Sequence, residues 1–129
     1  MTGLRIIGFV CSVYALLLLS FVCHTYTPRA HAQEAYTAED TYNALDEASA
    51  EIGVSWTWLY RTVRCETGGT MNPYSVGRQG ELGVAQLHPR GELLRFYAWQ
   101  YTDPYSPYQA IRFMAQRFVA GGASAWSCA

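Results

Sequence analysis

Between residues 41 and 52 apolar side chains recur at helical spacing, with Tyr42, Leu45, Ala48 and Ile52 on one stripe and Gly53 as the stop. Ser55 predicts the N-cap of a second helix, whose apolar face, Trp56, Leu59, Tyr60 and Val63, follows the i, i+3, i+4, i+7 series. That helix is expected to end at Cys65-Glu66-Thr67-Gly68-Gly69, the paired glycines acting as terminator. Residues 70–82 carry Asn72-Pro73, Gly77 and Gly80 and read as a loop, and 83–87 as a short buried piece, helical or extended. A third helix is predicted over 89–100, burying Leu93, Leu94, Tyr97 and Ala98. Ser106-Pro107-Tyr108-Gln109 has capping-box spacing with proline at the first helical position. The helix it opens should bury Ala110, Ile111, Met114, Ala115 and Phe118 and stop at Gly121-Gly122. No alternating strand pattern, internal repeat or low-complexity tract interrupts this series. The expected fold class is mainly α: one small domain over residues 41–129, preceded by a short flexible polar segment over 33–40.

The N-terminus changes how the chain is counted. Arg5 precedes an uncharged run over residues 6–23, centred on Ala15-Leu16-Leu17-Leu18-Leu19, and Ala30-His31-Ala32 places small residues where a signal peptidase reads. Residues 1–32 are therefore expected to be a secretory signal peptide, and the remainder an extracytoplasmic protein. An uncleaved membrane anchor is the alternative, because the apolar run is nearly long enough to span. Bulky Phe21 and Val22 before Cys23 argue against a lipid anchor there.

Composition narrows the chemistry. Half of the 129 residues are apolar and 15% are charged, which argues against disorder. A net charge of −1 argues against a nucleic-acid partner. All nine basic residues are arginine, so Schiff-base lysines and phosphate-loop lysines are excluded. Beyond residue 32 the chain has seven arginines against ten carboxylates, a net charge of −3, and two of its four cysteines, Cys65 and Cys128. Two cysteines in an exported chain of this size predict one disulfide. A zinc site of Cys65, His88 and Cys128 would have three ligands and no paired spacing, so no metal and no cofactor is expected.

Glu66 is the carboxylate with the most informative position. It lies three residues after Val63 and seven after Leu59, which continues the buried stripe to the helix end. Apolar neighbours and the negative pole of the helix both favour its neutral acid form. An acid kept protonated near neutral pH is what glycosidic-bond cleavage requires. The other reading is a glutamate that simply exits to solvent in the turn.

Cys65-Glu66-Thr67-Gly68-Gly69, followed by Gly83-Val84-Ala85-Gln86, resembles the lysozyme-like domain of bacterial lytic transglycosylases. The cysteine beside the glutamate, together with Trp126-Ser127-Cys128, is most similar to the resuscitation-promoting factors within that group, whose corresponding cysteines are bonded. The resemblance covers residues 55–129. It departs from the pattern at Thr67, where serine is usual, at Ala85, where a larger residue is usual, and in the shorter Trp126-to-Cys128 spacing.

The resemblance implies a lytic transglycosylase acting on peptidoglycan glycan strands, at the bond between N-acetylmuramic acid and N-acetylglucosamine. Glu66 would protonate the glycosidic oxygen and then, as a carboxylate, take a proton from the muramic acid 6-hydroxyl or from water. Gln86 would bind substrate or hold the loop, and Thr67, Tyr74 and Tyr108 are the further candidate substrate contacts. Trp99, Tyr101 and Tyr105 also offer aromatic faces, although each aromatic is more often part of a core. Glu81 is the nearest candidate for a second carboxylate and Asp103 a remoter one, both more often solvated loop charges. His88, beside Pro89, reads as a turn residue. A monomer is expected. Two other classes compete: a lysozyme-like module that grips glycan without cutting it, and a small structural disulfide protein. The second explains the cysteines but not Gly83-x-x-Gln86.

Overall fold

Thr37 caps the first helix of the domain in both directions, its side chain accepting from the Asp40 amide while the Asp40 carboxylate accepts from the Thr37 amide. In the computed structural model, which describes residues 35–129, helix α1 therefore runs Ala38–Ile52, beginning three residues before the predicted start and taking up the end of the expected flexible segment. The expected signal peptide lies outside the described residues. Helices α2 (Trp56–Glu66), α3 (Glu92–Ala98) and α4 (Pro107–Val119) follow, with a 3-10 turn over Ala123–Ala125. The class is mainly α; among the described residues the only β pairing is two isolated antiparallel bridges, Val76 with Leu82 and Leu82 with Leu87. No helix of the described residues is long and apolar enough to cross a membrane.

The principal packing is α1 against α4, with α2 closing the side of the pair. Leu45, Leu59, Val63, Val84, Leu87, Phe96, Ile111, Phe113 and Met114 form a continuous interior. The stripes turn slightly from their predicted phase. In α1, Thr41 and Ala44 are buried while Tyr42 is 41% exposed, because the Thr41 hydroxyl can donate to the Met71 carbonyl at 2.9 Å. In α2, Thr62 takes the inward place predicted for Trp56, and its hydroxyl is satisfied by the Trp58 carbonyl at 3.0 Å. Trp56 instead stacks outside on Tyr60, ring centroids 4.9 Å apart.

Helix α3 is shorter than predicted at both ends. Residues 88–91 form a turn in which the Gly91 and Leu93 amides both donate to the His88 carbonyl, and this delays the helix to Glu92. Its other end closes by the Tyr101 amide returning to the Phe96 carbonyl, with Gln100 left-handed. Leu93 and Phe96 face the core, whereas Leu94, Tyr97 and Ala98 are exposed, contrary to the predicted burial. The Arg117 guanidinium on α4 grips the Glu92 carboxylate at 2.9 and 3.2 Å and so holds α3 in place. At α4 itself, Ser106 caps the Gln109 amide as predicted, but the reciprocal half of the box is absent. The Gln109 side chain accepts instead from the Thr102 and Asp103 amides, which fastens the preceding loop.

The disulfide joins Cys65 in the last turn of α2 to Cys128 next to the C-terminus, with Cα atoms 5.9 Å apart. A second tie lies beside it. Trp126 is buried, and its indole N–H donates to the Ala85 carbonyl at 2.7 Å. The C-terminal segment is thus fixed to the helix end at one point and to the 83–87 loop at another.

Candidate functional site

Glu66 is the final residue of α2, and the chain leaves the helix axis immediately after it. The Gly69 amide returns to the Arg64 carbonyl at 2.6 Å, and Gly68 sits at φ +60°, where an L side chain is strained. The glutamate side chain lines an open cleft of about 380 Å³. Three segments distant in sequence form its walls: the end of α2, the loop carrying Gly77, Arg78, Glu81, Gln86 and His88, and the C-terminal residues Ala125, Trp126 and Ser127.

The loop owes its shape to backbone constraints. A Cβ on Gly83 would lie 2.0 Å from the Pro104 carbonyl oxygen, and its φ is +70°, so only glycine fits there. Gln86 follows at φ +44°, a strained conformation for a residue with a side chain. It is stabilised by its own amide, which donates to the Gly83 carbonyl at 2.8 Å and to the Ser75 carbonyl at 3.4 Å. The amide nitrogen is therefore used within the loop. The amide oxygen points towards Gly77, where a Cβ would come within 2.5 Å of it. Gln86 thus fastens the loop while lining the cleft.

Glu66 is half-buried, and its Oε1 is buried with no hydrogen-bond partner. Desolvation raises its pKa above the ordinary glutamate value; the Cys128 backbone amide opposes this, and the negative charge of Glu81 adds to the rise. Glu81 is displaced in the other direction. Its own amide and that of Gln79, the latter at 2.9 Å from Oε2, donate to its carboxylate, and His88 stands nearby. One cleft thus holds a carboxyl biased towards the neutral acid and another biased towards the anion.

The raised pKa has a consequence for stability. Above the ordinary glutamate value the folded state retains a proton that the unfolded chain gives up, so stability falls as pH rises towards and through the folded pKa of Glu66. Glu66→Gln removes the ionisation and keeps the shape. Paired thermal melts across pH 4–8 should show the variant at least as stable as the wild type at neutral pH, with the difference shrinking in mild acid. A variant less stable at neutral pH would mark Glu66 as a structural carboxylate.

Gly77 provides the room in which Glu81 and Gln86 meet. A Cβ there would lie 2.2 Å from Glu81 Oε2 and 2.5 Å from Gln86 Oε1, both ends of flexible side chains. Gly77→Ala should therefore fold with a melting temperature close to wild type while pushing both groups out of place. Any catalytic activity of the cleft should fall ~10-fold or more, since small misplacements of positioned groups are costly. Melts beside activity assays separate the two effects.

The other residues singled out in the sequence lie elsewhere. Thr67 is buried, its hydroxyl donating to the Val63 carbonyl at 2.8 Å and accepting from the Met71 amide at 3.1 Å, so it secures the turn after α2. The Tyr108 hydroxyl donates to Asp40 at 3.2 Å, linking α4 to α1. The Tyr74 hydroxyl accepts from the Tyr36 amide at 2.9 Å, and its ring packs against Tyr105. None of these three lines the cleft. Trp99 packs against Phe113, and Tyr101 against Phe96 and Phe113, which makes both part of the aromatic core edge. Asp103 caps the Tyr105 amide at 2.9 Å.

Conversely, the cleft recruits Gly77, Arg78, Glu81, His88 and Trp126. His88 does stand at a turn, its Nδ1 accepting from the Arg90 amide at 3.2 Å, while its Nε2 reaches Gln79 Oε1 at 3.3 Å. Glu81 was already singled out as a second carboxylate and Trp126 as part of Trp126-Ser127-Cys128; for Gly77, Arg78 and His88 the available signal was the glycine-flanked spacing of residues 77–88, which implies a tight hairpin. Comparison of the chain with protein-family models, with curated proteins and with solved structures found no match.

Proposed function

We propose that this protein is an exported glycan-cleaving enzyme acting on the N-acetylmuramic acid to N-acetylglucosamine bond of peptidoglycan, with Glu66 as general acid. The observation that carries the reading is the state of Glu66: a half-buried carboxyl with one orphaned oxygen, desolvated at a helix end yet opening on a cleft. A glutamate without function would gain by turning that oxygen to solvent. The resemblance of Cys65-Glu66-Thr67-Gly68-Gly69, Gly83-x-x-Gln86 and Trp126-Ser127-Cys128 to the lytic transglycosylase and resuscitation-promoting factor pattern supplies the substrate class.

In this reading Glu66 donates its proton to the bridging oxygen as the C1–O bond breaks, and the sugar passes through an oxocarbenium-like state. The acceptor that completes the reaction is the muramic acid 6-hydroxyl, giving a 1,6-anhydro end, or water, giving a reducing end. Gln86 Oε1 accepts from a sugar hydroxyl or amide in the cleft. The C-terminal segment forms the opposite wall, where the disulfide and Trp126 hold it rigid. The test is mass spectrometry of purified peptidoglycan incubated with the chain from residue 33 onward. Muropeptides released by the wild type and not by Glu66→Gln support the reading. Binding of glycan without release by either protein would make the domain a binding module.

A further inference from the structure

We propose that Glu81 is the general base of this cleft and that the glycan is cut by water rather than by its own 6-hydroxyl. This rests on the glycan-cleaving reading above and specifies its second half.

The loop holds the Glu81 side chain through its backbone. The Gly77 amide donates to the Glu81 carbonyl at 2.8 Å, closing the hairpin over residues 77–81. The carboxylate folds back on the same turn, where Oε2 accepts from the Gln79 amide at 2.9 Å and sits over the bare Cα of Gly77. Gln79 is itself fixed, its Oε1 meeting His88 Nε2 at 3.3 Å. His88 is oriented in turn by the Arg90 amide on Nδ1, which leaves Nε2 as the ring's N–H in the neutral tautomer. The Gln79 and Glu81 amides, above the bare Cα of Gly77, thus orient one carboxylate.

That oriented carboxylate lines the same cleft as Glu66. The charged and titratable groups around it are Glu66 at the end of α2, and Arg78 and His88 of its own loop. The C-terminal wall contributes Ala125, Trp126 and Ser127, none of which titrates. Desolvation and the negative charge of Glu81 bias Glu66 towards the acid, while backbone amides bias Glu81 towards the anion. A reaction completed by the substrate's own hydroxyl needs one carboxyl that gives and retakes a proton. A second, oriented anion is the feature that water attack requires.

The step balances with water as co-reactant. The Glu66 carboxyl proton passes to the glycosidic oxygen, which leaves with the electron pair of the C1–O bond. A water oxygen forms the new bond to C1 and gives one proton to the Glu81 carboxylate. Solvent then returns a proton to Glu66 and removes one from Glu81. The net reaction consumes one water and produces one reducing end.

The experiment digests purified peptidoglycan in heavy-oxygen water with wild type, Glu81→Gln, Glu81→Ala and Glu66→Gln. Glu81→Gln retains an oxygen acceptor for the Gln79 amide, so the loop is preserved and a purely structural role would leave the rate near wild type. The expected results are labelled reducing ends from the wild type and a kcat at least ~10²-fold lower in Glu81→Gln with little change in KM. The acid limb of the wild-type pH profile should be lost in that variant. Formate, as a small replacement carboxylate, should restore part of the Glu81→Ala rate. Exclusively anhydro, unlabelled ends, with Glu81→Gln as fast as wild type, overturn the assignment of Glu81 while leaving Glu66 and the glycan-cleaving reading intact. Absence of any cleavage by the wild type overturns both.

Discussion

Glu66→Gln is expected to lower glycan cleavage by at least ~10²-fold, because glutamine keeps the shape of the side chain but has no proton to transfer. The setting of the residue argues for a loss of that size. Solvent is partly excluded from the carboxyl, its Oε1 has no partner, and the negative Glu81 lies in the same cleft. Each of these favours the protonated form at a pH where an exposed glutamate would be ionised. In the wild type the rate should decline as pH rises through the raised pKa of Glu66, since the proposed mechanism needs the acid form. Steady-state rates on purified peptidoglycan across pH 4–8 check both statements. Near wild-type activity in the variant would remove Glu66 from the mechanism, and unchanged melting of the variant would show that an observed loss is chemical.

Replacing both Cys65 and Cys128 by serine should be the most destabilising change available outside the core. The bond closes a loop with a sequence separation of 63 residues. In the chain-entropy account, closure of a loop that long contributes about 4 kcal/mol, which for a domain near this size corresponds to a melting-temperature drop of about 20 °C. The functional effect should outlast the thermal one. Cys128 also presents its backbone amide to Glu66, and Trp126 supports the Ala85 carbonyl from the same segment. At a temperature where the double variant is still folded, its C-terminal wall should be loosened and its activity should fall. Thermal melts, and activity measured well below the variant's midpoint, read the two consequences separately. Thiol titration of the unfolded, unreduced wild type should find no free thiol; two per chain would refute the bond.

Features that depend on one turn of chain could be read from the residues alone. The Ser55 cap, the inward Leu59 and Val63, the stop at Gly68-Gly69, the Ser106 cap and the presence of a disulfide were legible because propensity, capping and cysteine number act locally or by count. Glu66 at the end of α2 was legible for the same reason, since helical spacing carries Val63 forward to it. The partner of each polar group came from packing between distant segments. Thr67, Tyr74 and Tyr108 carry hydroxyls suited to sugar, but each satisfies a nearer need: a turn amide at Met71, the Tyr36 amide, and Asp40, which is 68 positions away in the chain. Glu81 reads as a solvated loop charge and His88 as a turn residue until the hairpin over Gly77 brings both to the groove beside Glu66. Trp126 carries no local signal for the wall it supports, because that position exists only once the C-terminus is tied to α2 and Ala85. A buried polar atom must find a partner wherever the packed chain presents one, and spacing along a single element does not contain that information.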